Sequence, residues 1–536
     1  MLLFFVLFPI LLGVMLYFFS MSRFTRIIAL FAQLGILVAS VLLFIQAQSL
    51  TQTTALGRFE GLTGLITHVG GFDGVMGVVL MADTLSSVFV VLTAFMFLIA
   101  IFYSYNENNS PLFWFLLFLW QGSLMGLFLT SDFFNIFVLM EVSTLAIAIL
   151  IMLNKNNRSL YDGLIYLMIN VIAIQFYLFG IGYVYRYTGT LSVYVANDHF
   201  AYMDRSYLVL PYALIMTFVV LKCALMPLFS WLPKAHGTPG APSSVSAILS
   251  GLHIKSSVYL FLRFQYTFEV IALTEVFLVI GIITAIVGFI MALSQKDLKL
   301  ILAYHTISQI GLIITGFNIG GYYSYIGSLY HMINHALFKS TLFLSAGIIA
   351  HMYKTRDVYS IRGVFRTMPL VGIATILAVL GITGTPIFNG SISKYFIASG
   401  IDGLLSYVLI FMSLGTIISF LKYSTILFGS KQTFSQKVDI WQQIPILILG
   451  TLCFVGGIMG ERIINIVFGT SVRIDGFGYL EKAGIFFASL VVGYLIFKFY
   501  VTKSSLLKKI RQIDLGFREI CIAIGVFFAS ILIFAG

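Results

Sequence analysis

Charge is what this sequence has least of. Only 10% of its 536 residues are Asp, Glu, Lys or Arg, against about 25% in soluble domains. So few charges exclude an ordinary water-soluble fold. Cysteine is equally scarce. Cys223, Cys453 and Cys521 are scattered with neither disulfide nor metal spacing, so they carry no redox information. A cysteine cluster, a Gly-rich nucleotide loop and a haem motif are also missing, so no electron-carrier site, cofactor or metal is expected. The N-terminus, MLLFFVLFPILLGVMLYFF, lacks a basic leader and a small-residue cleavage site. It reads as a retained first helix rather than a signal peptide.

What is present is apolar length. Hydrophobic residues make up 60% of the chain, and runs of about 20 recur from end to end. They predict an all-α polytopic membrane protein with about 14–16 transmembrane helices. A net charge of +11 could suggest a nucleic-acid partner, but its distribution excludes one. Basic residues gather in alternate loops, most strongly in MYKTRDVYSIRGVFRT (352–367) and TKSSLLKKIRQIDLGFRE (502–519). The positive-inside rule puts those loops in the cytoplasm and the N-terminus outside, in the cell (inner or plasma) membrane.

Against this background a few ionisable residues stand inside apolar segments. The densest stretch is Leu221–Arg263, where Lys222 and Lys255 flank Pro227, Pro233 and the turn-like run Gly237 to Pro242. A broken membrane helix beside buried lysines marks an ion pathway. Pro227 removes a backbone N–H and leaves carbonyls free for water or a cation. Glu141, alone in FNIFVLMEVSTLAIAILIML, would cost about 3 kcal/mol in lipid and so must face protein. Desolvation disfavours a lysine's charge and a carboxylate at about 4 Å favours it by a similar amount. A Lys222–Glu141 pair could therefore be toggled by a neighbouring charge. His253 and Lys255 are two apart and point to different faces; Lys255 is the expected path residue and His253 a supporting one. His305, Ser308 and Gln309 are inward polar candidates on the helix that QKDLKL begins. His331, His335 and Lys339 fall at i, i+4 and i+8 and share one helix face. Histidines titrating near neutral pH suit a proton relay.

A second broken helix follows. Gly381, Gly384, Pro386 and Gly390 interrupt GITGTPIFNGSISKYF, and Lys394 comes after them. MPLFSWLPK (226–234) and TPIFNGSISK (385–394) share the order proline, aliphatic, Phe, polar stretch, Lys. Two broken helices in corresponding positions suggest inverted repeats around a midplane path. The expected organisation is 1–110, N-terminal helices with an outer hairpin region; 111–265 and 266–428, two five-helix halves; and 429–536, peripheral helices. Asp83, Asp132 and Asp162 read as helix-start residues. Lys422 and Lys498 read as snorkelling lysines. The Gly-rich stretch 49–78 fits a short hairpin or an amphipathic cover.

The motifs SDFFNIFVLMEVS, LKCALMPLFSWLPKAH, PSSVSAILSGLHIK, QKDLKLILAY, HMINHALFKSTLFLSAG and the SK of SISK resemble one family. It is the antiporter-like subunits shared by respiratory complex I, Mrp-type Na+/H+ antiporters and membrane-bound hydrogenases. The resemblance covers roughly 70–425. It implies two inverted five-helix units with broken helices and a hydrated proton axis. It makes Glu141 and Lys222 the first charged pair, Lys255 with His331 and His335 the centre, and Lys394 the outward exit. The expected function is proton translocation, with Na+ as a candidate exchanged ion, within an assembly of other membrane subunits that would hold any redox site. A stand-alone transporter of another solute is the competing reading. Lys234 departs from the family pattern, which has an acid between Leu-Pro and Ala-His. The C-terminal helices without a long lateral helix lean toward an Mrp-like or hydrogenase-like member.

Overall fold

The computed structural model describes residues 1–19, 22–50, 64–71, 77–238, 241–434 and 436–536. Within them, fourteen helices are long and apolar enough to cross a membrane. Two shorter apolar helices, Leu3–Phe18 and Pro369–Thr383, accompany them. The chain is therefore a multi-pass helical membrane protein.

The helices sort by how much lipid they meet. Ser243–Thr267 is wholly enclosed, with its whole apolar window buried. Leu298–Asn318, Tyr322–Tyr353 and Thr84–Tyr103 surround it and are themselves mostly covered. At the periphery Gly476–Val501 keeps only 11% of its window buried. Lipid tails are as apolar as leucine, so such helices associate by close packing rather than by escape from water. The hairpin of Thr274–Ser294 and Leu298–Asn318 shows how. A Cβ on Gly288 would stand 2.6 Å from the Ser308 nitrogen, and one on Gly311 would stand 2.4 Å from the Ala285 nitrogen. Small residues at both positions let the two backbones touch.

The helix starts follow local chemistry. Asp132 caps Phe133–Met152 by accepting from the Asn135 N–H at 2.6 Å, as its place before an apolar run predicts. Asp83 caps Thr84–Tyr103 in a reciprocal capping box with Ser86. It also makes a buried ion pair with Arg263, whose guanidinium lies 4.8 Å from the Tyr259 ring centre. Before Asp83, Val79–Ala82 is a strand, paired antiparallel with Leu65–His68. That pairing is the hairpin form of the stretch 49–78, of which residues 51–63 and 72–76 lie outside the described residues. Asp162 is not a cap, because Asn156 performs that role. Asp162 instead pairs with Arg158 at 3.0 Å, one turn earlier on the same helix.

Both expected interruptions occur. Arg205–Lys222 ends at the lysine, and the chain resumes as Trp231–Gly237. Pro369–Thr383 ends at Gly384 and resumes as Asn389–Ile397. Each gap holds a non-glycine residue in the left-handed region, Ala224 at φ 52° and Ile387 at φ 75°. Such residues cost about 1–3 kcal/mol each and persist where the surroundings enforce them.

Replacing Arg263 with Met leaves the Asp83 carboxylate buried without its guanidinium. Breaking a buried pair from one side costs about 3–5 kcal/mol. A clear fall in apparent Tm in detergent is expected, with partial recovery in the Asp83→Asn, Arg263→Met double variant.

Candidate functional site

The enclosed helices carry a series of buried or half-buried cations and imidazoles. Lys222 is 1% exposed. Its Nζ donates to the Thr144 hydroxyl at 2.7 Å, one turn along the helix from Glu141. The expected first pair is thus indirect. The ammonium engages threonine, while Glu141 Oε2 has no hydrogen-bond partner among the described residues. Glu141 still lies close enough for its charge to act on Lys222 and Tyr166. The carbonyl of Leu221, at the helix end, accepts from the Trp231 indole at 2.8 Å as well as from the Ala224 N–H at 2.9 Å. The helix after the break therefore ties back to the helix before it.

A π-turn over Leu249–His253 lies within the next helix, Ser243–Thr267. It aims His253 and Lys255 at different neighbours. His253 Nδ1 accepts from the Trp120 indole at 3.4 Å, and the charge of Lys222 reaches its ring. Lys255 is fully buried. Its Nζ donates to the Ser250 carbonyl at 2.5 Å and meets His335 Nδ1 in a short hydrogen bond. The pairing of Lys255 with the histidine helix, expected at the centre, is direct.

On Tyr322–Tyr353 the three stacked groups all point inward. His331 is held by Ser393 at 2.8 Å and by Gln309 at 3.1 Å. Ser393 belongs to the Lys394 half-helix, so this imidazole links the centre to the second break. Lys339 donates to the Leu302 carbonyl at 2.5 Å. His305 lies beside Phe420, ring centres 4.8 Å apart, with both nitrogens unpartnered among the described residues. At the second break Lys394 donates to the carbonyls of Ile382 (3.0 Å) and Thr383 (3.1 Å). Those carbonyls end Pro369–Thr383 and have no N–H to receive in the helix. They also form its negative pole. Lys394, Pro386, Tyr395 and Tyr479 line a cavity of about 100 Å³ against the peripheral helix Gly476–Val501.

Lys422 is a correction. It does not snorkel: it is fully buried and donates to the carbonyls of Ala292, Leu293 and Gln295 at 3.2, 2.7 and 2.6 Å. It caps Thr274–Ser294. Lys498 is exposed, as expected.

Two polar vestibules open on the face that carries the basic loops. One, of about 620 Å³, is lined by Asn154, Ala241, Lys299, His351 and Arg356 among others. Lys299 is 5% exposed and donates to the Ala241 carbonyl at 3.1 Å. Arg356 is bonded to Asp297 at 2.8 Å and to the Gly237 carbonyl at 2.8 Å. Glu107, in the loop before Pro111–Leu129, accepts from Asn109 and Gln442 at 3.1 Å each, and its charge reaches Lys299. The other vestibule, about 220 Å³, is lined by Arg158, Asp162, Lys234, Tyr304, Arg511 and Asp514 among others. Here Lys234 meets Asp514 at 3.1 Å. Lys234, which stands where the family pattern has an acid, is thus paired with an acid from the connection before the last helix. Sequence reading did not select Lys299 or Thr144, and it quoted Ser393 only within the SK of SISK. Gln309 was selected as a polar residue in an apolar run; Thr144 had no signal, since hydroxyls are common in membrane helices.

A multi-pass membrane protein with buried lysines and histidines running between two broken helices is a transporter-like scaffold around an internal polar axis. Residues 130–421 match the family described as "NADH:quinone oxidoreductase/Mrp antiporter, TM", and the chain belongs to it. It is 30% identical over 430 residues to an NADH-quinone oxidoreductase subunit of Desulforudis audaxviator, covering 74% of this chain and 85% of that one. It is 27% identical over 385 residues to an Na(+)/H(+) antiporter subunit of Alkalihalophilus pseudofirmus, covering 69% and 74%. A chain of the Mrp complex from Dietzia sp. DQ12-45-1b shares the fold, with a TM-score of 0.79 at 21% identity over 90% of this chain and 99% of that one.

Burial pushes the Glu107 carboxyl above its ordinary value of 4.5, against weaker opposing pulls from its hydrogen bonds and His351. The folded protein then holds this proton more tightly than the unfolded chain does. Stability should fall as pH rises from 4.5 through the folded value and level off above it. Glu107→Gln has no proton to lose, so its apparent Tm should lack that decline. Parallel pH–Tm curves in detergent for variant and wild type would rule this out.

Proposed function

We propose that this chain is the proton-translocating, antiporter-like subunit of a multisubunit membrane complex. It moves H+, with Na+ as the candidate exchanged ion, along Glu141, Lys222, Lys255, His335, His331 and Lys394. His253, His305 and Lys339 support that row, and Pro227 and Pro386 set the breaks. The observation that carries the reading is the run of ionisable groups from the buried Lys255 to the half-buried Lys394. Lys255 contacts His335, which is one turn from His331 on the same helix, and His331 contacts the Lys394 half-helix. The relatives named as parts of an Na(+)/H(+) antiporter and of an NADH-quinone oxidoreductase support the same reading. Other membrane subunits are the partners, and any driving reaction belongs to them. The units 111–265 and 266–428 are the two halves of the device. The face carrying Lys299, Arg356 and Arg511 is cytoplasmic and the N-terminus lies outside in the cell membrane, by the positive-inside rule.

The physics suits charge-coupled transfer. At an effective dielectric near 20, a charge moved to about 4 Å changes a neighbour's energy by about 4 kcal/mol. That is close to three pKa units. Loading a proton at one lysine therefore changes the hold of the next on its own proton. The polar contacts of each lysine give it a resting site between such events.

Lys222→Ala and Lys255→Ala should each lower proton flux at least tenfold in everted vesicles carrying the assembled complex, read with a pH-sensitive dye. Wild-type flux in a normally assembled Lys222→Ala complex would sink the mechanism.

A further inference from the structure

The cavity of about 100 Å³ beside Lys394 has three walls: the half-helix Asn389–Ile397, the span Leu404–Leu427 and the peripheral helix Gly476–Val501. The last of these meets lipid along most of its surface, with 11% of its window buried. The cavity therefore borders the bilayer. Its outer wall is nevertheless held in place. The Tyr479 hydroxyl accepts from the Ile387 N–H at 3.0 Å and bonds the Ser391 hydroxyl at 2.8 Å. The Tyr395 hydroxyl accepts from the Asp475 N–H at 3.2 Å.

The polar groups in this crevice are costly where they stand. Its lining holds two half-buried lysines, Lys394 and Lys482, and no carboxylate. Ser406 and Ser413 line it from one helix and Ser489 from the other. Neither these three hydroxyls nor the Lys482 ammonium has a hydrogen bond or ion pair among the described residues. On the same span as Ser413, Thr416 and Ser419 donate to the carbonyls four residues back, the usual way for a helix to satisfy a hydroxyl. A polar group beside lipid without such a partner is disfavoured. Lys394 spends two donors on the carbonyls of Ile382 and Thr383, and an ammonium has three.

The groups are also ordered in depth. Leu404–Leu427 ends beside the basic loop, where the Gly363 N–H donates to the Phe428 carbonyl, and Gly476–Val501 ends at the basic connection 502–511. Ser406 and Lys482 therefore lie toward the opposite membrane surface. Ser413 and Ser489 are each seven residues further in, about 10 Å at the rise of a helix. Apolar Ile410, Ile417 and Phe486 lie among them. Cations near one surface, hydroxyl donors below and apolar side chains alongside match the order of a phosphate, ester carbonyls and an acyl chain. Basic pockets between membrane helices suit anionic headgroups.

We propose that this crevice binds one anionic phospholipid from the leaflet opposite the basic face. Lys482 and the third donor of Lys394 hold its phosphate, and the serine hydroxyls donate to its ester carbonyls. Two lysines without a carboxylate favour a head of net negative charge over a zwitterionic one.

The test counts lipids on the assembled complex by native mass spectrometry in mild detergent. Phosphatidylglycerol, phosphatidylcholine and inorganic phosphate are added in turn. At the phosphatidylglycerol level that saturates the wild type, Lys482→Ala should carry one phosphatidylglycerol fewer, with half-saturation of that site raised at least tenfold. Lys482→Arg should restore it. Ser413→Ala with Ser489→Ala, which leaves both lysines in place, should weaken it as well. Equal phosphatidylglycerol counts in wild type and Lys482→Ala would overturn the site. Phosphatidylcholine filling it as readily would mark an ordinary boundary lipid and overturn the proposal. Inorganic phosphate displacing phosphatidylglycerol at equal concentration would mark a free-anion site and overturn it too.

Discussion

The structure depends on one constraint: an ammonium group in a membrane interior must be solvated by the protein itself. Charged partners are scarce here, and backbone carbonyls do much of that work. Lys394 and Lys422 are held by carbonyls at helix ends. Lys255 takes a carbonyl inside a π-turn, and Lys339 takes one from a neighbouring helix. Lys222 takes a hydroxyl instead. A carbonyl is a dipole rather than a counter-charge. It stabilises the ammonium without fixing it as firmly as a carboxylate at contact distance would. The broken helices are therefore more than gaps, because their ends furnish the polar ligands that make buried lysines tolerable.

The two breaks solve the same problem differently. In the first, the Ala224 N–H and the Trp231 indole occupy the carbonyl before Lys222, and the lysine reaches Thr144 beside Glu141. In the second, Lys394 itself satisfies the helix end. The first site is thereby exposed to an acid's field and the second to a helix pole. Cations at the two ends of the row sit in unlike electrostatic surroundings, which gives a row of similar groups a polarity.

Much of this was legible from the chain. Hydropathy located the spans because lipid demands long apolar runs, and the breaks followed from Pro227, Pro386 and the glycines near them. Glu141, Lys222, Lys255, His331, His335 and Lys394 stood out because an ionisable residue in such a run is costly. Lys422 was misread because depth along a helix does not tell whether a side chain reaches water or a neighbouring carbonyl. Asp162 was misread because a carboxylate near a helix start can pair with an arginine one turn away as readily as it can cap. His236 was quoted only within the LPKAH motif and given no role, because it borders a turn-like run that reads as surface, whereas the fold encloses it.

By itself the sequence determined that the chain crosses a membrane many times, where its helices break, and which costly groups lie inside. Each follows from the energetics of single residues in an apolar medium. Tertiary structure alone decided which groups meet: Lys222 with Thr144, Lys255 with His335, Lys234 with Asp514. Those contacts depend on the rotation and approach of helices remote in sequence, which close packing at residues such as Gly288 and Gly311 sets and no local pattern encodes.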